Sequence, residues 1–255
     1  MAKPALPRRG RSRGVYLLPN LFTTSALFAG VYSVVASYNG DYRPAAIAII
    51  AAMVLDGFDG RVARMTGTST AFGAEYDSMA DMISSGLAPA FLAYAWALSS
   101  LPAVEYGQLG WVAAFVYTAC CGLRLARFNV AVGTADKRFF QGLACPSAAA
   151  VNASFVWVAV DMGITGSELV WPMLFVTLST GLLMVSTFTY YSFKDLGDGR
   201  RVPYAMATGL LLLFVVTAVD PGKMILIAST LYALSGPCYA LFRYVRKRNR
   251  QGVSG

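Results

Sequence analysis

Arg43-Pro44-Ala45-Ala46-Ile47-Ala48-Ile49-Ile50-Ala51-Ala52-Met53-Val54-Leu55-Asp56-Gly57-Phe58-Asp59-Gly60-Arg61-Val62-Ala63-Arg64 reads as a membrane helix whose last third carries charge. A run of about 20 apolar residues is long enough to cross a hydrocarbon core of roughly 30 Å as a helix. Comparable runs occupy about 20–38, 78–99, 109–130, 143–162, 168–187, 203–219 and 223–243. The expected fold is therefore an all-α polytopic membrane bundle of about eight spans. The breaks between runs carry turn chemistry, as at Asn39-Gly40-Asp41, Gly133-Thr134-Ala135-Asp136 and Asp220-Pro221-Gly222.

Composition agrees with that reading. Of 255 residues, 56% are apolar and only 13% charged, with a mean hydropathy of +0.54, whereas a soluble domain carries about 25% charged residues. No soluble domain fits between the spans. Residues 1–14 and 246–255 read as basic tails around one membrane domain, 15–245, with a catalytic core at about 15–190. The first tail is not a cleavable signal, because the apolar run behind it is too long for one and lacks a cleavage site. The four cysteines, Cys120, Cys121, Cys145 and Cys238, lack C-x-x-C spacing and read as packing residues.

Charge gives the orientation. With the N-terminus inside, all of the 21 Lys and Arg residues except Arg43 and Lys223 fall on the inner side, the asymmetry expected when positive loops are retained in the cytoplasm. Both termini are then cytoplasmic. The +8 balance is thus read as topology and anionic-lipid contact, not as a nucleic-acid surface.

The chain has no histidine, which removes imidazole bases, Ser-His-Asp systems and His-bound zinc. Carboxylates remain. Asp56 and Asp59 are three apart and Asp77 and Asp81 four apart, so each pair shares a helix face. A connection of about 12 residues would make their helices antiparallel neighbours and let both pairs converge near the cytoplasmic interface. Charge at such depth is costly, so a cation is expected among the carboxylates. An oxygen-only set suits Mg²⁺ or Mn²⁺, and four carboxylates suffice for two ions bridging a diphosphate. Gly57 and Gly60, poor helix formers inside a helix, leave room for a ligand at the backbone, and Arg64 supplies a planar cation for phosphate.

The spacing D-x2-D-G-x2-A-R-x8-G-x3-D-x3-D, met without a gap by Asp56, Asp59, Gly60, Ala63, Arg64, Gly73, Asp77 and Asp81, resembles the signature of the CDP-alcohol phosphotransferases, membrane enzymes of phospholipid synthesis. The resemblance implies a two-metal site at Asp56, Asp59 and Asp77, completed by Asp81 as the base that activates the acceptor alcohol. It also implies CDP or diphosphate contact by Gly60, Ala63, Arg64 and Gly73, and a homodimer.

The wider sequence is similar to the bacterial membrane-type phosphatidylserine synthases in Leu18-Pro19-Asn20-Leu21-Phe22-Thr23-Thr24, Ser84-Ser85-Gly86-Leu87-Ala88-Pro89-Ala90, Leu123-Arg124-Leu125-Ala126-Arg127-Phe128-Asn129 and Gln141-Gly142-Leu143-Ala144-Cys145-Pro146. This similarity implies CDP-diacylglycerol and L-serine as substrates and a site facing the cytoplasm of a bacterial inner membrane. Two positions depart from it, Ala144 where a proline is expected and Ser25-Ala26 where many relatives carry Gly-Asn. Arg124, Arg127 and Asn129 are candidates for holding the serine carboxylate; positive-inside anchoring is their other reading. Lys137 and Arg138 read as anchors or contacts to lipid phosphate. Alternatives are the same chemistry on glycerol 3-phosphate or an inositol phosphate, and a divalent-cation transporter. Transport predicts carboxylates at the midplane and an inverted repeat, neither of which the sequence carries.

Overall fold

The computed structural model describes residues 17–66, 70–101, 108–131, 139–191 and 219–251. They form α1 (Leu17–Tyr38), α2 (Tyr42–Thr66), α3 (Ala71–Asp81), a wide turn of helix (Met82–Leu87) leading directly into α4 (Ala88–Trp96), α5 (Leu109–Ala131), β1 (Phe139–Gln141), α6 (Cys145–Asp161), α7 (Val170–Val185), β2 (Thr189–Tyr191) and α8 (Pro221–Gln251). Helices occupy seven of the eight expected apolar runs. The eighth, 203–219, lies almost wholly outside the described residues, as do Lys137 and Arg138 and the tail 1–14. By length and apolarity three helices qualify to cross a membrane, Asn20–Tyr38, Leu109–Val130 and Pro221–Arg243, and Val170–Val185 is a shorter apolar helix. The α2 helix carries Asp56, Asp59 and Arg61 inside its length.

Two boundaries differ from the sequence reading. The third helix starts at Ala71, seven residues before the expected span, because Thr70 caps it: Gly73 N donates to Thr70 Oγ1 at 3.0 Å. The last helix runs on through Gln251, carrying the basic C-terminal segment as helix. One element was not expected in an all-α fold. The three-residue strands β1 and β2 pair antiparallel in the register Phe139↔Tyr191, Phe140↔Tyr190 and Gln141↔Thr189.

The first two helices fold back through Asn39-Gly40-Asp41, where Gly40 takes φ +85° and Asp41 N closes on Ala36 O at 2.9 Å. Small residues then let the helices approach closely. One core gathers Ala45, Ile49, Leu92, Ala93, Trp96, Ala153, Trp157 and Met173. A second, nearer the carboxylate end, gathers Tyr117, Cys121, Leu143, Cys145, Met184 and Tyr190. Asn152 joins α6 to α7 inside the bundle, donating to Thr180 Oγ1 (2.9 Å) and accepting from Thr177 Oγ1 (3.0 Å). Facing outward, Phe28, Phe115, Leu231 and Phe242 are each more than 60% exposed, as lipid-facing side chains are.

Two helix-interior prolines organise the packing. Proline has no N–H, so it orphans the carbonyl four residues earlier. Pro89 thereby frees Ser85 O, and the wide turn before it is closed by Ala88 N on Ile83 O; the buried Tyr117 hydroxyl of α5 donates to Ser85 O at 3.2 Å. Pro237 frees Ala233 O in α8, and the buried Tyr190 hydroxyl of β2 donates to it at 3.0 Å. In each case a tyrosine from another element supplies the bond that the helix lost.

The ends of the bundle are chemically distinct. At one, Arg43 Nε pairs with Asp161 Oδ1 at 2.9 Å, Trp157 Nε1 donates to Asp161 Oδ2 at 2.8 Å, and Gly222 lies against the Trp157 ring. Arg43 and the start of α8, where Lys223 sits, therefore share an end. The carboxylates lie at the other.

Candidate active site

Asp56 and Asp59 sit one turn apart on the uninterrupted α2 helix. Asp56 is half-buried, and the neighbouring Gly57 is exposed: a Cβ built there would meet nothing within 4 Å. The protein's own packing therefore does not demand a glycine at 57, and the face beside Asp56 is open. Gly60 is half-buried on the same helix. The side chains of Asp59, Ala63 and Arg64 lie outside the described residues, so the expectations placed on them rest on their backbone positions in α2.

Asp77 and Asp81 share a face of α3, and both are half-buried; the Oδ1 oxygen of Asp77 is closed off from solvent. Gly73 lies in the first turn of this helix. A Cβ there would lie 3.2 Å from Thr70 Oγ1 and 3.7 Å from Asn20 Oδ1, so the cap and α1 already account for a small residue at 73.

The first helix ties the two pairs to one end of the bundle. Phe22 meets Phe58 of α2 with ring centroids 6.4 Å apart, and Thr24 Oγ1 is hydrogen-bonded to the Tyr76 hydroxyl of α3 at 2.9 Å. The expected neighbour relation holds for the long helix that α3 opens: α2 meets it at the wide turn and α4, while α3 itself also packs on α1. The early start at Thr70 places Asp77 and Asp81 two to three turns into α3 instead of at its edge. Among the described residues no three Asp, Glu or Cys side chains stand close enough to hold a metal. The donor chemistry nevertheless fits a hard divalent cation: carboxylate oxygens alone, one of them buried, at one end of the helical bundle.

The arginines and asparagine expected near the acceptor do not form a single cluster. Asn129 faces α3, its Nδ2 donating to Ser78 Oγ at 3.1 Å, between Asp77 and Asp81 in sequence. Arg124 turns toward Cys145, with Nη1 3.9 Å from Sγ, and its Nε is buried with no hydrogen-bond partner. Arg127 is exposed and donates through Nη2 to Gln141 Oε1 of β1. Sequence reasoning missed Thr70, Ser78 and Gln141 as partners. Only Thr70 had a signal, a threonine directly before a helical run.

Comparison with known proteins bears on the whole arrangement. Residues 16–183 match the CDP-alcohol phosphatidyltransferase family model, a stretch containing every residue of the aspartate signature. The chain is 32% identical over 232 residues to a CDP-diacylglycerol–serine O-phosphatidyltransferase of Helicobacter pylori, covering 91% of this chain and 94% of that protein. It is 34% identical to the Mycobacterium leprae protein of the same name, over 71% of this chain and 60% of that one. An archaetidylserine synthase of Methanothermobacter thermautotrophicus is 32% identical over 71% of this chain and 72% of that protein. With the ungapped signature carried on α2 and α3 and that extent of likeness, the chain belongs to the CDP-alcohol phosphatidyltransferase family.

Proposed function

We propose that this chain transfers the phosphatidyl group of CDP-diacylglycerol to L-serine, releasing CMP and leaving phosphatidylserine in the bilayer. The observation that carries this reading is the ungapped aspartate signature on two helices whose inner ends share α1 as neighbour. The choice of serine is supported by the relatives' names, each of which specifies a serine lipid.

Asp56, Asp59 and Asp77, with Asp81 beside them, would hold Mg²⁺ or Mn²⁺, which supplies neutralisation of the diphosphate and most of the barrier lowering. The open face at Gly57 admits the diphosphate along α2, with Gly60, Ala63, Arg64 and Gly73 completing the CDP contact. Arg64 would offer planar donors to the phosphate oxygens and offset the charge that develops on departing CMP. Asp81 takes the proton from the serine hydroxyl while that oxygen attacks the phosphorus bonded to the diacylglycerol oxygen. A free hydroxyl is too weak an acid to ionise first, so proton transfer accompanies attack. Arg124 and Arg127, three residues apart on α5, are the proposed cations for the serine carboxylate, and Asn129 holds α3 against α5 through Ser78.

The topology proposed with this chemistry has eight spans, both termini in the cytoplasm and the site at the inner face of a bacterial cytoplasmic membrane. It is supported by the ends of the described chain: β2 pairs at the carboxylate end, whereas α8 begins at the opposite end beside Trp157. The homodimer is proposed on the family resemblance alone.

Asp81→Asn tests the base. CMP release is expected to fall by about 10²–10⁴-fold while Mg²⁺-dependent binding of CDP-lipid persists. Activity within about twofold of the parent would remove Asp81 from that role.

A further inference from the structure

Gln141 is the last residue of β1, and the backbone around it is held at several points. It pairs with Thr189 in the ladder, Gly142 N donates to Phe188 O at 2.9 Å, and Leu143 N donates to Leu183 O at 2.9 Å. The neighbouring residue pair of the ladder, Phe140↔Tyr190, leads to the last helix. There Pro237 leaves Ala233 O without a helix N–H, and the Tyr190 hydroxyl fills the vacancy. Gly236 makes room for the ring, since a Cβ there would lie 2.4 Å from Tyr190 Cζ. Burial pushes the Tyr190 hydroxyl up to about 12, so it remains a donor across the working pH range. α8 is thus notched to receive one tyrosine, and that tyrosine fixes the ribbon.

At the ribbon's other edge, Gln141 accepts from the Arg127 guanidinium. An exposed arginine otherwise samples many rotamers. Its bond to a side chain on an anchored ribbon selects one, at the inner end of α5 where Asn129 meets Ser78.

We infer that the β1–β2 ribbon is a positioning device for the acceptor end of the site, with Gln141 aiming Arg127 at the anionic group of the acceptor and Tyr190 fixing the ribbon to the last helix. The inference rests on the transfer reading above and gives roles to Gln141 and Tyr190, neither of which belongs to the aspartate signature.

The test is steady-state kinetics of the full chain in mixed micelles, with KM measured separately for L-serine and CDP-diacylglycerol. Gln141→Ala is expected to raise the serine KM about tenfold and to leave the CDP-diacylglycerol KM within about twofold. Gln141→Glu keeps an acceptor for Arg127 and is expected to retain the parental serine KM. Tyr190→Phe is expected to lower the melting temperature and raise the serine KM. Adding Pro237→Ala returns a helix N–H to Ala233 O, so it should restore the melting temperature and leave the serine KM high, because the ribbon is still untied.

An unchanged serine KM in Gln141→Ala, or equal increases for both substrates, overturns the inference. Recovery of KM together with stability in the double variant reduces Tyr190 to a structural residue and overturns its part. If the parent releases CMP with another acceptor but not with serine, the serine reading fails by itself. The same KM comparison is then made with that acceptor, and absence of the pattern there overturns the positioning role.

Discussion

Replacing Tyr117 by phenylalanine removes one oxygen from the centre of the bundle, and the structure gives the consequence. The Tyr117 ring is fully buried and its hydroxyl donates to Ser85 O at 3.2 Å. That carbonyl has no ordinary helix partner, because Pro89, four residues on, has no N–H. Ser85 and Gly86 are themselves buried, so water does not replace the lost donor. An orphaned buried carbonyl costs about 1–3 kcal/mol; for a chain of this size about 2 kcal/mol lowers the melting temperature by about 4–8 °C. The assay is thermal unfolding of the detergent-solubilised protein. The argument also fixes a double variant: Pro89→Ala restores an N–H to the helix, so in that background Tyr117→Phe should lose less than about half as much, a coupling of about 1 kcal/mol. A melting temperature within about 1 °C of the parent, or the same loss in both backgrounds, would refute the reasoning. Asp81 ends α3 immediately before this turn, so turnover should fall with stability in Tyr117→Phe.

Asn152→Leu keeps the branched outline but removes the link between α6 and α7 formed with Thr177 and Thr180. Interhelical hydrogen bonds of this kind contribute about 0.6 kcal/mol each, and Thr180 already bonds Val176 O of its own helix. A loss of about 1–2 kcal/mol is expected in thermal inactivation, and a loss above about 4 kcal/mol would mean that Asn152 does more than tie two helices. Gly142→Ala should be far more damaging. Gly142 takes φ +80°, and a Cβ would lie 2.2 Å from Met184 O, so the ribbon must shift; about 3 kcal/mol or more is expected, and parental melting would contradict the described turn.

The apolar runs and Asn39-Gly40-Asp41 were legible because period, length and turn chemistry act locally. The aspartate spacing was legible because helical periodicity places Asp56 with Asp59 and Asp77 with Asp81 whatever the tertiary arrangement. What the residues alone did not disclose depends on partners distant in sequence. The wide turn at Met82–Leu87 needs Tyr117 from α5, and the ribbon pairs segments about 50 residues apart through only three residues on each strand. Such short strands carry no usable alternation. The same holds for Arg124, Arg127 and Asn129: spacing placed them at one end of α5, but only the fold turns Asn129 to Ser78, Arg124 to Cys145 and Arg127 to Gln141. The early start of α3 was missed because its cap, Thr70, lies ahead of the apolar run.

The most direct measurement of the central claim is CMP release in mixed micelles containing CDP-diacylglycerol, with L-serine, glycerol 3-phosphate or inositol phosphate as acceptor, with and without Mg²⁺ or Mn²⁺. The site described here predicts release that requires both L-serine and the divalent ion, with phosphatidylserine as the lipid product. Metal-independent release, or release with glycerol 3-phosphate or inositol phosphate and none with serine, would contradict it.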